Sequence, residues 1–199
     1  MGSAVGDGMR VRVIQEPASE PVSLSDAKLH LRVDGSDDDA LISALIVAAR
    51  QSAEHQTSRA LITQTLRLTL DAFPSGSDGV ELLRPPVQSI SAVQYVDALG
   101  NTVTLSTMQY GVDTVSQPAW LLPVYGTAWP ATRDQANAVQ IDYVAGYGTA
   151  AAVPQSIKQW MLLAIGDMYA SREATVIGTI AERLSFVDQL LDPYRVWSA

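Results

Sequence analysis

The chain has 199 residues, with 13 Lys plus Arg against 21 Asp plus Glu, a formal charge of −8 and a sequence pI near 4.6. Hydrophobic residues make up 47% and charged residues 17%, a globular composition that excludes an extended disordered or collagen-like chain. There are no cysteines, which excludes disulfides, thiolate zinc sites and a cysteine nucleophile and makes a reducing cytoplasm the default compartment.

In chain order, residues 1–20 read as a flexible lead-in with no apolar segment of the secretory kind. Ser23 or Ser25 is placed to cap a short helix through about Val33. The loop Asp34-Gly35-Ser36 then leads into a second helix, whose first turn carries Asp37, Asp38 and Asp39 where the helix dipole favours acids. That helix runs to about Thr57, with Leu41, Ile42, Leu45, Ile46, Ala49 and Ala53 at helical spacing. Between Ala40 and Ala49 only Ser43 is polar, so the apolar stripe is wider than one core needs. A second buried face against another subunit is expected, with Ile46 and Val47 as its candidate contacts.

From residue 63 to about 150 the period changes. Leu66, Leu68 and Leu70 alternate with Arg67, Thr69 and Asp71. The segments Val87–Val96, Val103–Leu105, Tyr110–Val115 and Ala138–Val144 are rich in β-branched and aromatic residues. Pro74-Ser75-Gly76, Asp78-Gly79, Leu99-Gly100-Asn101 and Trp129-Pro130 punctuate them, so a small sheet of short antiparallel strands is expected. The longest uncharged stretch, Thr114–Thr132, contains Pro118, Pro123 and Pro130 and does not suit a membrane-spanning helix.

Residues 151–199 return to helix. Pro154 suits a first helical position, and Ile157, Trp160, Met161, Ala164, Ile165 and Met168 form one face. Leu162 and Tyr169 lie away from that face and complete the candidate subunit contacts. Gly166 costs about 1 kcal/mol relative to alanine inside a helix, so a close helix–helix approach is expected there. A further helix is expected over Ile180–Leu191, ended by Pro193.

Catalytic patterns do not emerge. His30 and His55 are the only histidines and form no metal-binding or triad spacing. Asp34–Asp39 begins like a calcium loop, but the glycine stands at the second position and the twelfth is Leu45 where a bidentate Glu is required. Gly146-Tyr147-Gly148 follows a strand, yet Ala151 replaces a third glycine and Pro154 interrupts the turn, which argues against a dinucleotide loop. Nothing marks a carboxylate pair. No basic run offers a footprint for phosphate binding along the chain. The expectation is a non-enzymatic protein with no cofactor and no metal.

The run Tyr143-Val144-Ala145-Gly146-Tyr147-Gly148, followed by Val153-Pro154, Ile157-Lys158, Leu162-Leu163, Tyr169 and Arg172-Glu173, resembles the C-terminal signature of the phage head-tail connector, or adaptor, family of long-tailed phages and prophages. Upstream, Ala27-Lys28, Leu31-Arg32-Val33-Asp34, Arg59-Ala60-Leu61-Ile62, Leu83-Arg84-Pro85-Pro86-Val87 and Trp129-Pro130 look like the same family. The resemblance covers roughly residues 20 to 196. It implies an α+β fold in which N-terminal helices (21–62) and C-terminal helices and tail (151–199) form a helical bundle with a β-rich insertion (63–150).

It also implies a role. Family members form a ring, dodecameric in the particle, that docks beneath the portal protein, receives the stopper or tail-completion protein and surrounds the DNA exit channel in the virion neck. Related adaptors occur in gene transfer agents, and assembly takes place in the bacterial host cytoplasm. The C-terminal segment of relatives reaches toward the portal, which makes Tyr194, Arg195 and Trp197 the candidate portal contacts, of residue types that anchor interfaces. An acidic channel wall lets DNA slide without holding it. The stretch Ser106–Val124, where relatives meet a neighbour, departs from the family pattern. The alternative is a small carbohydrate- or ligand-binding module that presents Trp120 or Trp129 on the β-rich region.

Overall fold

The computed structural model describes residues 10–170 and 185–196. The fold is α+β and divides into two compact units. One holds the chain up to Pro17 together with Thr63–Gly146; the other holds Ala18–Ile62 together with the chain from Tyr147 onward.

The first unit contains two antiparallel sheets. Strands β1 (Arg10–Gln15), β2 (Gln64–Leu70), β4 (Val87–Val96), β5 (Thr102–Thr104) and β8 (Val139–Ala145) form a five-stranded sheet in the order β1-β2-β8-β4-β5. Strands β3 (Val80–Leu82), β6 (Tyr110–Asp113) and β7 (Ala119–Pro123) form a second sheet in the order β3-β7-β6. β2 and β8 bury every second residue, so Leu66, Leu68 and Leu70 enter the interior with Val139, Ile141 and Tyr143. The Tyr143 hydroxyl donates to the Leu83 carbonyl at 2.7 Å, and burial raises its pKa. β4 carries register shifts between Val87 and Ser89 and between Ile90 and Ala92, which bend it along β8.

β1 corrects the expected lead-in over 1–20. Arg10–Gln15 is an edge strand paired with β2, Val11 opposite Leu68 and Val13 opposite Leu66. Without it, β2 would present a bare ladder edge. The preceding residues 1–9 lie outside the described residues.

In the second unit α1 (Leu24–Leu31), α2 (Asp39–Thr57) and α3 (Gln155–Ala170) share one core, built on Ile42, Ile46, Ala49, Ala53, Ile157, Trp160, Met161 and Ile165. Ser23 caps α1 by accepting from the Asp26 amide, and Arg32 and Ser58 end α1 and α2 in the left-handed conformation. The acids at the start of α2 do more than face a dipole. Asp39 pairs with Lys28 of α1 at 2.6 Å, and Asp38 accepts from the Tyr169 hydroxyl of α3. α4 (Ser185–Gln189) and a one-turn 3-10 helix, Asp192–Tyr194, follow; the first half of the helix expected over 180–191 lies outside the described residues. Trp160 donates its indole N–H to Asp188 at 3.3 Å, which ties α3 to α4.

An ion pair on α2 is interior. Arg50 and Glu54, one helical turn apart on α2, are 4% and 6% exposed and meet at 2.9 Å. Arg50 Nε also reaches Glu20 at 2.8 Å, while Glu54 Oε1 accepts the Leu61 amide at 2.9 Å. The pair thereby fixes both the entry to α1 and the turn that leaves α2. Replacing Glu54 with Ala strips a buried guanidinium of a partner and orphans the Leu61 N–H, so chemical denaturation is expected to show a loss of about 3 kcal/mol. Gly166 behaves otherwise than expected: among the described residues a Cβ there would meet only the His30 ring, at 3.5 Å, and no backbone of another element. Gly166→Ala is therefore expected to stabilise by about 1 kcal/mol, visible as a rise in Tm of roughly 2–4 °C.

Candidate assembly interface

Three surfaces emerge from the folded chain. The first was not legible as a site in the sequence. Six of the ten exposed large apolar residues among the described residues, Met108, Val112, Val115, Leu122, Val124 and Tyr125, lie on or beside the β6–β7 hairpin. Met108 is 88% exposed and Tyr125 fully exposed. Scattered apolar residues are ordinary on a protein surface; six within one hairpin are not.

The hairpin is built to hold them out. Ser106 and Gln109 form a reciprocal capping box around the one-turn 3-10 helix Thr107–Gln109, and the Val124 amide donates to the Gln109 carbonyl at 3.1 Å. Met108 and the Val124-Tyr125 pair are thus carried at the same end of the hairpin. At the other end Asp113 accepts from the Ser116 hydroxyl and from the Val115 and Ser116 amides, and these bonds, the hydroxyl's foremost, hold its pKa below the usual carboxylate range. β6 is an outer strand of its sheet, with no ladder partner on its far side among the described residues. The signal available beforehand was the uncharged stretch 114–132, which covers β7 and the turns on either side of it.

The second surface is the outward side of α2. Leu41, Ala44, Ala48, Gln51 and Ser52 are exposed there and Val47 is half-buried, with no charged side chain among them. Of the candidate subunit contacts, Ile46 is 3% exposed and belongs to the core of its own unit, so its surface is already used within one chain. Val47 remains at the edge of the outward side. Leu162 is half-buried against the core, and the Tyr169 hydroxyl is engaged by Asp38.

The third is the C-terminal segment. Leu191 is fully buried and Tyr194 packs against the core. The Tyr194 carbonyl accepts from Arg59 Nε at 2.5 Å, and the Val196 amide donates to the Thr57 carbonyl at 3.0 Å. Arg59 also bonds Tyr147, whose hydroxyl burial pushes up in pKa. Arg195 lies 3.0 Å from Asp192 in an ion pair that lacks hydrogen-bond geometry. Trp197 lies outside the described residues. The structure therefore brings Tyr194 and Arg195 together on a segment latched to the end of α2.

No metal-binding group accompanies these surfaces among the described residues: no three His, Asp or Glu side chains are placed to hold a metal. His30 lies against Gly166, and His55 is exposed on α2. Trp129 is stacked on Phe73 with ring centroids 4.7 Å apart and donates to the Asp78 carbonyl, so one face of its indole is covered from within the chain. No helix is long and apolar enough to cross a membrane among the described residues.

Comparison with known proteins gives two likenesses. Residues 21–96 match the family model described as phage gp6-like head-tail connector protein. A chain in the neck of an empty GTA particle computed with C6 symmetry superposes with a TM-score of 0.79 at 22% identity, over 96% of this chain and 97% of that one. A chain in the virion of a native gene transfer agent particle gives 0.77 at 22%, over 95% and 96%. One in the neck of a native GTA particle computed with C12 symmetry gives 0.75 at 22%, over 96% and 97%. At that identity the likeness is one of fold. Comparison with curated proteins finds no match.

The latch on the C-terminal segment is open to a direct test. In Arg59→Ala, hydrogen exchange at the Val196 amide is expected to quicken by about tenfold, since a buried charge-assisted bond to Tyr194 is lost, while amides in the middle of α2 keep their protection.

Proposed function

We propose that this chain is a structural head-tail connector that assembles as a ring in the neck of a phage or gene-transfer-agent-type particle. In this reading the ring docks beneath the portal, receives a stopper or tail-completion protein, and surrounds the DNA exit channel without binding a specific sequence. The helical unit of α1, α2 and α3 corresponds to the bundle of the connector family, and the sheet-containing unit to its insertion. Assembly takes place in the bacterial host cytoplasm.

The observation that carries this reading is the whole-chain likeness to chains in the necks of symmetric particles, supported by the connector-family match over 21–96. Two features of the chain support it independently. The Met108–Tyr125 hairpin exposes large apolar side chains that a monomer leaves wet, and α2 presents an uncharged outer side.

Purified chain mixed with its portal protein is expected to give rings by electron microscopy and a matching mass by light scattering. A chain that stays monomeric with portal present would overturn the reading. The double variant Met108→Ser with Tyr125→Ser is expected to unfold within about 0.5 kcal/mol of the parent, because both side chains are exposed, yet to lose ring formation.

A further inference from the structure

The outward face of β1, β2 and β8, with the turn that enters β8, holds an open recess of about 440 Å³ lined by Arg12, Arg67, Thr69, Asn137 and Gln140. Each of these side chains carries N–H or O–H donors, and none is a carboxylate. Across the ladder Arg12 stands directly opposite Arg67, and Arg67 directly opposite Asp142. Like charges in that position destabilise a sheet.

Asp142 relieves half of the conflict. Its two oxygens take Arg67 Nε and Nη2 at 2.6 and 2.7 Å, a bidentate pair that fixes the guanidinium and leaves its other N–H groups unspent. Arg12 has no such carboxylate among the described residues, and the side chains of Thr69, Asn137 and Gln140 have no hydrogen-bond partner there. Asn137 sits at φ 59° with its amide donating to Asp71 at 2.7 Å, so the root of its side chain is fixed as well. A recess lined by two arginines and three neutral side chains that can each turn a donor inward, with the carboxylates of Asp142 and Asp71 spent on Arg67 and on the Asn137 backbone, stands on a chain whose formal charge is −8.

The geometry points to a binding site for a phosphate-class oxyanion in this recess, with Arg12 as its principal charge and Arg67, Thr69, Asn137 and Gln140 as further donors. A carboxylate offers two oxygens, too few to engage donors from five side chains; a phosphate group offers more acceptors, and arginine forks match it bidentately. The source is either free phosphate or the phosphodiester backbone of a nucleic acid. The inference stands on the sheet unit alone and does not require the connector reading.

The test uses the full chain and amide NMR at constant ionic strength. Inorganic phosphate is expected to shift the side-chain amides of Asn137 and Gln140 saturably, and Arg12→Gln to weaken that binding about tenfold, the loss of one charge-assisted contact. Asn137→Gly suits the left-handed backbone and is expected to weaken it about threefold; it carries the test should Arg12→Gln fail to fold. A short DNA duplex at matched phosphate concentration separates the sources: displacement of phosphate assigns the site to the backbone diester, and no displacement assigns it to free phosphate. The inference is overturned if phosphate gives no saturable shift, if acetate shifts the same amides equally well, or if the variants bind phosphate as the parent does.

Discussion

The structure depends on how the chain is pinned where it leaves and re-enters the helical unit. Glu54 on α2 accepts the Leu61 amide, and the Leu61 carbonyl accepts from Tyr147, so the outgoing and returning strands of chain are bonded to each other within that unit. On the sheet side, Gln64 and Ala145 open the β2–β8 ladder, and the Gly146 amide donates to Pro86. Each unit thus holds the two ends of the other's segment side by side. An insertion whose ends are already adjacent adds little loop-closure entropy to the host unit. A buried ion pair at this point is costly in water-free surroundings, and its value here is positional: Arg50 and Glu54 orient a turn that an apolar pair would leave undirected.

Period was the most legible feature. Alternation at Leu66, Leu68 and Leu70 and helical spacing from Leu41 to Ala53 both report a face buried on one side, and both elements lie where that signal places them. β1 escaped because a short edge strand needs only two inward residues, Val11 and Val13, and its flanking charges resemble those of a tail. The acids at 37–39 illustrate a different limit. Position along the helix explains a dipole effect, but the partners that use them, Lys28 and Tyr169, come from other helices, and sequence spacing carries no information about such meetings.

The candidate site was less legible for the same reason. Composition flagged 114–132 as uncharged, yet only the β6–β7 register decides which apolar side chains turn inward, as Leu121 does, and which stay wet, as Leu122 does. Ile46 shows the converse. A wide apolar stripe on α2 hinted at two buried faces, and packing resolves the stripe into a core side with Ile42, Ile46 and Ala49 and an outer side that begins at Leu41 and Ala44.

Charge placement links the surfaces. Copies of a chain carrying −8 repel one another, most strongly at low ionic strength, so a ring of them holds only if its contacts avoid like charges and bury apolar area instead. The outer side of α2 meets that condition, because the only Asp, Glu, Lys or Arg residues between Ala40 and Gln56, Arg50 and Glu54, are buried. The Met108–Tyr125 hairpin meets it by being apolar, with Asp113 held within its own turn by Ser116. The recess beside Arg12 sets two arginines close together on a chain of net negative charge, so its location in an assembled ring would decide whether it meets DNA or only free anions.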